Sequence, residues 1–109
     1  MTDKELLGLA AKAAGDEIQW DIVESCWYMD KVEWNNPEWN PLVSDGDALR
    51  LAVKLGLSII TGTYKVVCEY IHQEDSGNIT VHEHLNDCAC AATRRAIVRA
   101  AAEIGKGEG

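Results

Sequence analysis

The chain has 109 residues and a mass of 12.0 kDa, which is the size of one domain, since halves of it would be too small to bury a sound core. With 47% hydrophobic and 26% charged residues, the composition is that of a globular protein and excludes a disordered chain. The 18 acidic and 10 basic side chains give a net charge of -8, a field that repels phosphate backbones and excludes extended nucleic-acid binding, though not a local basic pocket for one small anion.

The opening Thr2-Asp3-Lys4-Glu5 is neither a basic segment nor followed by a long apolar run, so no signal peptide or membrane span is expected, and the reading is cytoplasmic. In that setting Cys26, Cys68, Cys88 and Cys90 are expected to stay reduced. Thr2 and Glu5 form a capping box, and a helix is predicted over Thr2 to Ala14, with Leu6, Ala10 and Ala13 on one stripe and Gly15 as its terminator. Ile18, Trp20 and Ile22 alternate with Gln19 and Asp21, the period of a half-buried strand, and a second extended run covers Cys26 to Val32.

Two prolines and three asparagines between Trp34 and Pro41 predict an ordered loop carrying Trp34 and Trp39. Ser44 and Asp47 make a second capping box, heading a helix with Ala48, Leu49, Leu51, Ala52, Val53 and Leu55 that ends at Gly56. So little of it is polar that nearly complete burial is expected. Strands follow over Leu57 to Thr61, Thr63 to His72 and Ile79 to His84, the last two joined through a hairpin connection over Gln73 to Asn78. A final helix, capped by Asn86 or Asp87, runs to about Ile104, leaving residues 105–109 as a frayed tail after a domain of residues 1–104.

The run Thr63 to His72 carries apolar residues on both of its alternating faces, which implies a sheet covered on both sides. The predicted fold is therefore α+β, a three-layer helix/sheet/helix (α/β/α) sandwich around a mostly antiparallel sheet of about four strands. Two blocks add a resemblance. Trp39-Asn40-Pro41-Leu42 with Asp45 to Gly56, and Ala91 to Gly105, resemble the phage ABA sandwich domain family of small phage- and prophage-encoded proteins. That resemblance implies the three-layer fold and a phage origin, and it transfers no catalytic residue.

Several groups of residues carry potential chemistry. His82, His84, Cys88 and Cys90 are zinc-type ligands within nine positions, although structural zinc sites space their cysteines more widely, and the plainer reading is two strand histidines and two small helix residues. Asp45 and Asp47 have the chemistry for acid-base work, but their place at a helix start accounts for both. Arg94, Arg95 and Arg99 could clamp a phosphate or, more simply, pair with acidic neighbours on the solvated side of the last helix. Trp34, Trp39 and Asn40 are candidate contacts for a ligand or protein partner.

No Ser-His-Asp order, phosphate-cradling loop or dinucleotide fingerprint is present, so no enzyme and no cofactor are expected. The leading expectation is an accessory protein-interaction module for a host or phage protein, anchored by the Trp34 and Trp39 loop and capable of self-association. The alternative is a module that sequesters a nucleotide or cyclic nucleotide through aromatics and arginines. A zinc-binding domain is third.

Overall fold

A computed structural model of the chain describes residues 2–15, 18–21, 26–29, 38–70, 78–85 and 88–107. Among them three helices and five short strands follow one another: α1 (Asp3–Ala14), β1 (Ile18–Asp21), β2 (Cys26–Met29), α2 (Asp45–Leu55), β3 (Ser58–Thr61), β4 (Lys65–Tyr70), β5 (Ile79–His84) and α3 (Ala89–Gly107). The chain is α+β, with the helices packed around a three-stranded antiparallel sheet of order β3-β4-β5. β1 and β2 form a separate antiparallel hairpin, in which Trp20 is registered opposite Trp27. The strands are thus divided three and two, rather than gathered as about four in one sheet.

Local chemistry sets the helix ends. The Glu5 N–H donates to Thr2 Oγ1 (3.2 Å), and the Asp47 N–H donates to Ser44 Oγ (3.2 Å), which satisfies a donor that has no partner inside either helix. α2 stops where Gly56 turns left-handed at φ 70°, a conformation that a side chain disfavours, and its N–H closes on the Ala52 and Val53 carbonyls. The expected caps Asn86 and Asp87 lie outside the described residues, as does the connection over residues 73–77. Cys88 stands at the head of α3, where its Sγ accepts from the Ala91 N–H (3.4 Å).

The core lies between α3 and one face of the sheet. Val66, Cys68 and Val81 point from β4 and β5 into it, meeting Ala96, Ile97, Ala100 and Ala101 of α3. On the opposite face Ser58, Ile60, Lys65, Thr80, His82 and His84 are exposed, while Val67 and Glu69 are half-buried. The period of two along each strand sorts these residues to their faces.

α1 packs most extensively on α3, through small residues. Ala10, Ala11 and Ala14 meet the alanine-rich face of α3, and the approach is closest at Gly105, where an added Cβ would sit 2.1 Å from the Leu9 carbonyl oxygen. This corrects the expectation of a frayed tail beginning at residue 105. α3 continues through Gly107, and Gly105 is buried because α1 gives the end of α3 something to pack on.

Candidate docking groove

The helix expected to be nearly buried has two apolar sides. Ala48, Leu51 and Ala52 of α2 face the core, whereas Leu49 and Val53, four residues apart on the opposite stripe, are 60% and 73% exposed. Val43, in the turn before the helix, is exposed as well. The apolar composition of α2 is therefore only half explained by the fold of the single chain.

Beside this stripe runs an open cavity of about 310 Å³. Ala48 and Leu49 of α2 form one wall, Ile59 and Thr61 of β3 the floor, and Ala89, Cys90, Thr93 and Ile97 of α3 the other wall. Its ionic group is at the rim. Arg94 Nη1 donates to Asp45 Oδ1 (2.5 Å), and Arg94 Nε donates to the Leu42 carbonyl (2.9 Å), so this side chain ties α3 to the start of α2. The groove is thus bordered by an ion pair and otherwise lined by apolar, hydroxyl and thiol side chains.

The tryptophan loop has a different role from the one expected. Trp39 is only 4% exposed and belongs to the core, so it is not a surface anchor, and Trp34 lies outside the described residues. Asn40 organises the turn that buries Trp39 and Pro41: its Oδ1 accepts from the Leu42 N–H (3.1 Å), and its carbonyl accepts from the N–H groups of Val43 and Ser44. The Asn40 N–H itself donates to Asp47 Oδ2 (2.9 Å). Asp47 is 4% exposed and also accepts from Arg50 Nη2 (2.6 Å), so its carboxylate staples loop to helix and is not free for acid-base chemistry.

The three arginines do not converge on a common ligand. Arg94 holds Asp45, Arg95 donates to Asp3 of α1 (3.2 Å), and Arg99 holds Glu83 of β5 together with the His82 carbonyl (3.1 Å). Each ties α3 to a different element. In this structure they are acid-paired, as in the plainer reading.

His82 and His84 are exposed on the outer face of β5, while Cys88 and Cys90 are exposed at the head of α3. Among the described residues no three His, Cys, Asp or Glu side chains stand together as a metal site. Cys68 is a buried free thiol, and burial, reinforced by the neighbouring Glu69 charge, pushes its pKa up to about 11. It is a core residue and an inert one.

Reasoning from sequence missed Leu49, Val53, Ile59 and Thr61 as site residues. The available signal was the i,i+4 pair Leu49 and Val53, which makes a second apolar stripe beside that of Ala48, Leu51 and Ala52. No helix among the described residues is long and apolar enough to cross a membrane. The chain matches no protein-family model, no curated protein and no solved structure.

Proposed function

We propose that this chain is a non-enzymatic protein-interaction module, and that it docks a polypeptide along the groove between α2, β3 and α3. One observation carries the reading: Leu49 and Val53 are exposed on the same stripe of α2, next to an apolar cavity of about 310 Å³. Contiguous exposed apolar surface around a concave centre is the ordinary signature of a contact that another chain completes. Among the described residues the groove is lined mainly by apolar side chains, and its carboxylate, Asp45, is engaged by Arg94, which supports a binding role.

Nucleotide sequestration draws less support, because Arg94, Arg95 and Arg99 are directed to three separate acidic partners. A phage accessory role rests on the resemblance of the Trp39 to Leu42, Asp45 to Gly56 and Ala91 to Gly105 blocks to the phage ABA sandwich domain. The three-layer sandwich remains our reading of the wider architecture, and the half-burial of Val67 and Glu69 on the outer sheet face supports some cover there.

The test is a photo-reactive amino acid in place of Leu49, irradiated in cells that naturally produce the chain. A polypeptide adduct is expected at position 49 and not at the remote position of Lys106. The absence of any polypeptide adduct at position 49 would overturn the docking reading.

A further inference from the structure

We infer that the polypeptide in the groove is a second copy of this chain, paired two-fold along the outer edge of β3. The inference rests on the docking reading and names its partner. Among the described residues β3 ends the strand order, and its Ser58, Ile60 and Thr61 are exposed, which leaves that side to another strand. Edges of this kind are ordinarily guarded by shortness, charge, proline, a bulge or a covering element, and of these β3 shows its length of four residues. Ser58-Ile59-Ile60-Thr61 contains no charge and no proline, and its register against β4 runs without a bulge.

The hydrogen-bond phase limits the register of such a pairing. The Gly62 N–H donates to the Lys65 carbonyl (2.9 Å), so residues 62 and 60 direct their backbone groups toward β4, and Ile59 and Thr61 direct theirs outward. Of the two-fold antiparallel registers this phase allows, the one that pairs most of β3 sets Ile59 opposite Thr61 of the second copy, in both directions, with Ile60 opposite Ile60 on the axis. This register satisfies the outward groups of both residues on both chains. It also covers Ile60, an apolar side chain that is 55% exposed in the single chain.

The same two-fold axis stands perpendicular to the sheet, which keeps the helix layers of both copies on one face. α2, which lines the groove with β3, meets its counterpart antiparallel over the new strand pair, and the Leu49 and Val53 stripes close on each other. Antiparallel packing also opposes the two helix macrodipoles, whereas parallel packing would set like ends together.

The closing experiment measures the mass in solution of the purified full chain by light scattering and sedimentation over a range of concentrations. Wild type is compared with Thr61→Pro, which removes an outward N–H without touching the β3–β4 bonds, and with Leu49→Lys. Wild type is expected at twice 12.0 kDa, and both variants at 12.0 kDa with unchanged circular dichroism. In a Cys88→Ser, Cys90→Ser background, Ile60→Cys is expected to form a disulfide between copies under mild oxidation, because facing residues of a non-hydrogen-bonded pair lie within disulfide reach.

A monomer at every concentration, or a dimer indifferent to both substitutions, would overturn the inference. If the chain is monomeric while position 49 cross-links to another polypeptide, the second copy falls and the docking reading stands. If there is no adduct and no dimer, both fall.

Discussion

Gly105 shows how a single hydrogen in place of a methyl group sets the distance between two helices. Replacing a helical glycine by alanine ordinarily favours the helix by about 1 kcal/mol. Here the new Cβ would sit 2.1 Å from a backbone oxygen of α1, which neither backbone can yield without separating the helices. Gly105→Ala is therefore expected to destabilise the fold by about 1–3 kcal/mol in denaturant unfolding, the opposite of the propensity effect. Asp47→Ala leaves the Asn40 N–H without its acceptor and Arg50 without its counter-charge, and a loss of about 1–3 kcal/mol is expected by the same measurement. The spacing of Ser44 and Asp47 made the helix start legible in the sequence. It did not show that the Asp47 carboxylate turns to Asn40, because that depends on where the loop folds back.

The buried thiol of Cys68 gives a pH dependence whose sign can be worked out. Its pKa is raised from the ordinary 9.0 to about 11, so between these values the native state keeps a proton that the unfolded chain loses. The contribution is fully present below pH 9 and is lost as pH rises toward 11. Relative to Cys68→Ala, the wild type should lose up to about 2–3 kcal/mol of its stability over that window, read from denaturant midpoints at each pH. A constant difference between the two proteins would show that the thiol ionises as readily folded as unfolded.

At the scale of elements, α3 is the beam to which the others are tied, and its arginines are unequal in that role. Arg94 is the least exposed of them, bonding to both Asp45 and the Leu42 carbonyl, whereas Arg95 makes one exposed pair with Asp3. Arg94→Ala should cost about 1–2 kcal/mol and Arg95→Ala less than about 1 kcal/mol by thermal unfolding, since exposed ion pairs contribute little. Most elements were legible because their local signals are clear: the caps of α1 and α2, the β-branched and aromatic run of β4, the hairpin connection before β5, and the alanine spacing of α3. The fate of α2 was not. Its sequence carries apolar residues on both sides, and helical period alone says which residues share a stripe, not which stripe meets the core. Trp39 failed for the reverse reason: proline and asparagine mark a loop correctly, but a turn closed by Asn40 can still place an aromatic ring inside.

For the whole molecule, the division between what stabilises the chain and what recruits a partner runs through α2. Leu51 and Ala52 are buried, so their truncation or enlargement is a matter of folding, while Leu49 and Val53 contribute little to the single chain because they remain mostly in water. Substituting both exposed residues by lysine should leave the unfolding free energy of the isolated chain within about 0.5 kcal/mol of wild type. Association with a second copy adds a different quantity, since a partner that binds only the folded state raises apparent stability as its own concentration rises. The melting temperature of wild type is therefore expected to climb with protein concentration, and that of Leu49→Lys, Val53→Lys to stay constant. The two proteins should converge at high dilution, where only the core built on α3 holds the fold. Divergence at high dilution would instead mean that the α2 stripe stabilises the chain on its own, placing Leu49 and Val53 with the core rather than at the interface.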